Sequence, residues 1–254
     1  MIKTTLLGSG GAFDPLSTSF LIDDTFLIDC GNEVIKKYSN FTENSILDNV
    51  KYLFLTHSHN DHIGGLETLL YYLLVKNNME DLDLSIYGNQ DCLDFFLNTA
   101  IFKEYKKLER EDFVKFILIP NFESIPISFS NDNLLVTSVK TAHMLGNILS
   151  NAFIFTRSDM SFKHTVIITG DLDSVHSDFT PEIVNSPLTI LFHDVGWTGL
   201  PSIEGTNFSK VHPTEKEVFD FYGNSSHIIG IHTSSHLKYF KKGEAEDIFF
   251  TSDF

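Results

Sequence analysis

The chain has 254 residues, 42% of them hydrophobic and 20% charged, a globular composition that excludes a disordered, collagen-like or membrane-embedded chain. A formal net charge of −16 leaves no broad basic face to neutralise phosphates along an extended nucleic acid. Residues 4–7 are too short for a secretory leader and residues 66–75 are about half of a bilayer span, while two cysteines in a chain of this size argue against disulfide staples, so the expected setting is the cytoplasm, away from any membrane.

In chain order, β-branched and aromatic runs predict strands at 4–7, 19–22, 25–29, 51–56, 84–87, 114–119, 134–140, 152–156, 165–169, 189–192 and 227–231. Amphipathic stretches predict helices at 33–38, 65–76, 92–105 and 214–221. Strands in both halves with helices between them point to a layered α/β architecture rather than a barrel or a bundle. No Pro/Gly/Ser linker and no repeat divides the text, so residues 1–254 read as a single domain.

Chemistry enters at Thr56-His57-Ser58-His59-Asn60-Asp61-His62-Ile63-Gly64-Gly65. Four donors, His57, His59, Asp61 and His62, follow a predicted strand within six residues and precede a predicted helix. Imidazole and carboxylate are the ligands of zinc and its first-row neighbours. In an extended loop His57 and His59, two apart, project to one side, and Asp61 and His62 open the helix toward a second centre.

The HxHxDH run with its glycine pair resembles the signature of the metallo-β-lactamase superfamily, which implies an αββα four-layer sandwich. The resemblance extends to Leu27-Ile28-Asp29-Cys30-Gly31 upstream and, further on, to His143, to Asp171 in Thr169-Gly170-Asp171, and to His232. It implies two divalent metal ions, zinc foremost with manganese or iron as alternatives: His57, His59 and His143 on one, Asp61, His62 and His232 on the other, and Asp171 between them. His143 is followed by Met144-Leu145-Gly146-Asn147, unlike the glyoxalase- and lactamase-like members. The opening Leu7-Gly8-Ser9-Gly10-Gly11-Ala12-Phe13 with Ser17-Thr18-Ser19-Phe20 is instead similar to ribonuclease Z and to cyclic-nucleotide phosphodiesterases.

His193 in Phe192-His193-Asp194 and His212 in Val211-His212-Pro213-Thr214 resemble the paired histidine motifs of that branch. Metal-bound residues cannot conveniently protonate a departing alkoxide, whereas a free imidazole can. His212 is accordingly the candidate acid, Asp61 belongs to the catalytic centre, and His193 is placed as an orienting residue. Cys30 reads as a buried structural thiol, and His164, His176, His227 and His236 as surface or supporting residues.

His143 and Asp171 are 28 residues apart, a distance filled by predicted strands, with no room for the protruding arm of tRNA-processing ribonucleases. The expected activity is that of a metal-dependent phosphodiesterase acting on a small phosphodiester, foremost a 3′,5′-cyclic mononucleotide, as in phage enzymes that destroy the cyclic pyrimidine signals of bacterial Pycsar defence. The alternatives are a ribonuclease Z-like RNA endonuclease, a non-catalytic metal-containing nucleotide sensor, and a lactone or thioester hydrolase. The resemblance also implies a homodimer.

Overall fold

The structure is a computed structural model that describes residues 1–11, 16–78, 82–110, 113–120, 125–129, 133–143, 148–158, 163–173, 189–195, 212–213, 215–222, 228–231, 237–241 and 244–248. The chain forms two compact units, Lys3–Asn121 and Phe122–Phe254, the latter joined by Met1–Ile2.

In the first unit β1 (Thr4–Gly8), β2 (Ser19–Ile22), β3 (Phe26–Ile28), β4 (Tyr52–Phe54), β5 (Ser85–Gly88) and β6 (Lys115–Leu118) form one sheet in chain order. The first three strands pair antiparallel, and β3 to β6 run parallel. Parallel pairing requires crossovers, here α1 (Asn32–Tyr38), then α2 (Asn60–Ile63) with α3 (Leu66–Lys76), then α4 (Gln90–Asn98) with α5 (Ala100–Lys107). Every residue of β3 is buried, as are Leu53 and Phe54 of β4, which explains why both read as unbroken apolar runs rather than alternating ones. On α3 the buried Leu66, Leu69, Leu70, Leu73 and Leu74 follow the three-four spacing of a helix that lays one face on a core. Each such leucine contributes about 1.5–3 kcal/mol by leaving water.

The helix expected over 92–105 is two helices. Thr99 is extended at φ −61°, ψ 149°; its hydroxyl donates to the Phe96 carbonyl at 2.7 Å and accepts the Phe102 N–H at 3.3 Å. Thr99 thus ends α4 and N-caps α5, while the apolar period runs on across the break and hides it from a periodicity reading.

The second unit carries one sheet in the order β14-β13-β12-β11-β10-β9-β8-β7. Its strands are β7 (Ile125–Phe129), β8 (Leu134–His143), β9 (Ile148–Ser158), β10 (Lys163–Ile168), β11 (Thr189–Asp194), β12 (Ile228–Ile231), β13 (Leu237–Lys241) and β14 (Glu244–Ile248). β10, β11 and β12 are parallel and the remaining neighbours antiparallel. Helix α6 (Glu215–Tyr222) lays Val218 and Tyr222, four residues apart, into a buried cluster with Val139, Ala152, Ile167, Leu191 and Ile228. Three strands escape the sequence reading. β7 contains Pro126, which is tolerated because β7 is an edge strand, and β13 and β14 are interrupted by charges. His164, read as a surface or supporting residue, is 8% exposed and accepts the Ile2 N–H at Nδ1, 2.7 Å away. No helix among the described residues is long and apolar enough to cross a membrane.

Candidate functional site

In the first unit the donors cluster at the carboxyl ends of neighbouring parallel strands, the usual place for ligands in open α/β sheets. β3 and β4 run in register, Ile28 beside Phe54, so Asp29 and the Thr56-His57 pair emerge side by side. His59 is the extended N-cap of α2, at φ −67° and ψ 147°, and its carbonyl accepts the His62 and Ile63 N–H groups. That turn folds the four donors back on one another. The His57 ring lies 4.6 Å from that of His59 and 4.2 Å from that of His62, centroid to centroid, and His62 Nε2 lies 3.6 Å from Asp61 Oδ2. His57, Asp61 and His62 are buried.

Two glycines make room for this turn. A Cβ on Gly31 would stand 2.5 Å from the Asp61 carbonyl, and one on Gly65 the same distance from the Cys30 carbonyl. Close backbone approach lets the Cys30 N–H reach the His62 carbonyl at 2.7 Å and the Gly65 N–H reach the Cys30 carbonyl at 2.8 Å. Cys30 itself is buried and reduced, like Cys92, and burial pushes both thiols up, away from the thiolate that would bind metal.

Asp29 stands in a run that carries the resemblance, but motif reading gives it no role. Its carboxylate is 1% exposed and accepts from the Thr56 N–H (2.8 Å), the Thr56 hydroxyl (2.8 Å) and His62 Nδ1 (2.7 Å). Burial raises its carboxyl, and the His62 and Thr56 donors draw it back. With the Thr56 proton turned to Asp29, the hydroxyl oxygen 3.1 Å from His57 Nδ1 is left as an acceptor. One carboxylate therefore fixes the tautomer of two histidines, Nδ1–H in each, and turns both Nε2 atoms into lone-pair donors. Asp29 sits at φ 57°, a left-handed conformation that costs a non-glycine residue of order 1–3 kcal/mol and gathers at functional sites. A lone carboxylate at the end of a wholly apolar strand was the available signal.

In the second unit His143 closes β8 and Asp171 follows β10 after Thr169-Gly170, with Gly170 at φ 61°. Both are buried, and His143 Nε2 lies 3.5 Å from Asp171 Oδ2. Asp173 approaches the other ring nitrogen at 4.0 Å. His212 is partly exposed, stands with its ring 4.9 Å from that of His143, and donates from Nδ1 to Asp194 Oδ2 at 2.8 Å. Asp194, fully buried at the end of β11, also accepts the Leu172 N–H at 2.8 Å, which ties the His212 anchor to the residue beside Asp171. The Asp194 role was missed by motif reading, although the His193-Asp194 dipeptide displays it. His193 is fully buried, with Nδ1 donating to the Asp194 carbonyl at 2.6 Å; burial holds its pKa below the usual histidine value. His176, His227, His232 and His236 lie outside the described residues.

The donor chemistry fits divalent first-row ions. Imidazoles with tautomers set by neighbours, together with buried carboxylates at the ends of parallel strands, are the ligand set of zinc, manganese and iron sites. His212 is held at Nδ1 by the Asp194 carboxylate.

Comparison with known proteins gives a family and a fold. A family model described as anti-Pycsar protein Apyc1 matches residues 2–221. Ribonuclease Z of Prochlorococcus marinus (strain AS9601) is 30% identical over 123 residues, 48% of this chain and 37% of that protein, so the match spans little more than a third of the relative. Among solved structures, the metallo-β-lactamase fold protein YhfI from Bacillus subtilis superposes with a TM-score of 0.62 at 22% identity, covering 91% of this chain and 86% of YhfI. Yeast PDE1 superposes with a TM-score of 0.65 at 14% identity, covering 92% and 88%. The fold is that of the metallo-β-lactamases, as the HxHxDH run implies.

Proposed function

The chain belongs to the anti-Pycsar protein Apyc1 family, and from that premise we propose that it is a metal-dependent phosphodiesterase that hydrolyses a 3′,5′-cyclic mononucleotide of the kind used as an immune signal. The observation that carries the chemistry is His212, a partly exposed histidine beside His143 and anchored to the buried Asp194. The donors that would hold two divalent ions are those the superfamily motifs assign: His57, His59 and His143, then Asp61, His62 and His232, with Asp171 shared. Bound divalent ions supply Lewis-acid charge for the non-bridging phosphate oxygens and activated water.

The chain's own residues do the rest. Asp29 and Thr56 hold the His62 and His57 rings in the Nδ1–H tautomer. Asp194 accepts a hydrogen bond from His212 Nδ1 and favours its imidazolium form, whose Nε2–H gives its proton to the departing ribose oxygen as water oxygen bonds to phosphorus and one P–O ester bond breaks. The product is a linear nucleoside monophosphate. His193 holds the Asp194 backbone.

The net charge of −16 supports a small substrate over tRNA. β9 and β10 occupy most of the chain between His143 and Asp171, where an arm for gripping tRNA would have to be inserted. A ribonuclease Z-like endonuclease is the second reading, favoured by the identity with the Prochlorococcus enzyme. We also propose a homodimer in the cytoplasm, of the producing cell or of an infected host, which light scattering and fractionation test. The deciding experiment for activity measures initial rates of the metal-loaded protein on a panel of cyclic mononucleotides, bis(p-nitrophenyl) phosphate, a precursor tRNA and a lactone. Cyclic nucleotides are expected to lead, and turnover of the lactone alone overturns the reading.

A further inference from the structure

One face of the second sheet buries two polar atoms that the chemistry above does not use. His193 spends its Nδ1 proton on the Asp194 carbonyl. A carbonyl can only accept, so the neutral ring presents Nε2 as an acceptor. That atom is buried and makes no hydrogen bond among the described residues, and the same holds for the hydroxyl of Tyr222, the last residue of α6. The two side chains meet edge to face, ring centroids 5.5 Å apart. Tyr222 is 1% exposed. A buried acceptor and a buried donor on adjoining rings are each costly to leave unmet, and one shared water satisfies both.

The consequence runs through Asp194. Its N–H is bonded to Thr169 Oγ1 at 3.0 Å, its carbonyl accepts from His193, and its carboxylate receives His212 and the Leu172 N–H. Among the described residues the His193 ring makes no hydrogen bond on its far side, at Nε2. We infer that Tyr222 is a positioning residue for His212: its hydroxyl and His193 Nε2 share one ordered water, which locks the ring that holds Asp194 under His212. This rests on the reading of His212 as the leaving-group acid. Loss of the Tyr222 hydroxyl lets the His193 ring turn or change tautomer, which releases the Asp194 carbonyl and moves the carboxylate that aims His212. Tyr222 acts through His193, the ring it meets edge to face.

The test is Tyr222→Phe in the metal-loaded protein, alone and combined with His193→Gln. Alone it is expected to lower kcat on a cyclic nucleotide by about tenfold, within the ~10²-fold that a 1 Å misplacement can cost. KM and bound metal should stay unchanged, and turnover of bis(p-nitrophenyl) phosphate, whose leaving group needs little protonation, should be spared. In the His193→Gln background the same change should add nothing, because both act through one tie. Ring-nitrogen spectra give a readout independent of activity: Tyr222→Phe should shift His193 Nε2 and His212 Nδ1. Unmoved resonances, or equal losses on both substrates with additive effects, overturn the proposal.

If the wild-type protein hydrolyses no phosphodiester, the role of His212 falls, yet the two resonances still decide whether Tyr222 holds His193 and orients His212. Should Tyr222→Phe fail to fold, the wild-type spectrum decides. An exchange-protected Tyr222 hydroxyl proton with a cross-peak to the His193 ring is expected, and a freely exchanging one overturns the tie.

Discussion

Replacing Asp29 by Asn separates geometry from charge at the base of the first donor cluster. The variant keeps the size of the side chain, and Asn tolerates the left-handed φ of 57°, so the backbone is not the perturbed element. The amide oxygen can still accept the Thr56 N–H. The amide nitrogen, however, is a donor facing two donors, the Thr56 hydroxyl and His62 Nδ1, both now bonded to Oδ2. A hydrogen bond to a charged group is worth about 1.5–3 kcal/mol, so losing two costs about 3–6 kcal/mol before relaxation, a large part of the 5–15 kcal/mol typical of a domain.

The cheapest relaxation is for His62 to take the Nε2–H tautomer and accept at Nδ1, which removes the lone pair that would bind metal. Thr56 then turns its hydroxyl proton, and His57 loses the acceptor for its own Nδ1–H. Metal affinity is therefore expected to fall by about 10–100-fold, the usual consequence of losing an outer-shell partner, with a clear drop in the thermal midpoint of the metal-free protein. Chelator competition followed by elemental analysis measures the first, and calorimetry the second. Wild-type metal affinity in a folded Asp29→Asn protein would refute the claim that one carboxylate sets both tautomers.

His212→Ala should lower turnover of a cyclic nucleotide by about 10²–10⁴-fold, the range of general acid catalysis, and bis(p-nitrophenyl) phosphate turnover by much less, with metal content unchanged. Asp194→Asn should follow the same pattern, because it unseats the His212 ring; comparing kcat on the two substrates checks both variants. Thr99→Ala removes the N-cap of α5 and should cost about 1 kcal/mol, read as a fall of a few degrees in the unfolding midpoint. Although burial alone would raise its carboxyl, bonds from the Ser45 N–H, the Tyr72 hydroxyl and the Lys76 ammonium hold Asp48 below the usual carboxylate value. It therefore stabilises the fold above the unfolded pKa of about 3.9 and loses that contribution as the pH falls through the lower folded value. Urea midpoints measured from pH 6 downward should fall less for Asp48→Asn than for the wild type.

The donor cluster was legible because its residues are contiguous: a strand ending at the HxHxDH run, then a glycine pair and an apolar helix, leaves little freedom in where four side chains point. His143 and Asp171 were legible only through resemblance, since each is a single polar residue after an ordinary strand. Asp29 and Asp194 escaped because their work is to hold other residues. A buried carboxylate looks the same in sequence whether it braces a histidine or caps a turn, and only the fold shows that β3 ends beside β4, or that the end of β11 reaches His212. The break at Thr99 and strands β7, β13 and β14 were missed for local reasons, a cap inside a continuous period, a proline on an edge, and charges within strands.

The most direct measurement of the central claim follows phosphorus resonances while the metal-loaded protein stands with a 3′,5′-cyclic pyrimidine monophosphate. Conversion of the cyclic diester signal to that of a linear monophosphate, abolished by Asp61→Ala and by chelation, is the predicted result. A cyclic diester that persists unchanged under conditions where the same preparation cleaves a precursor tRNA would contradict it.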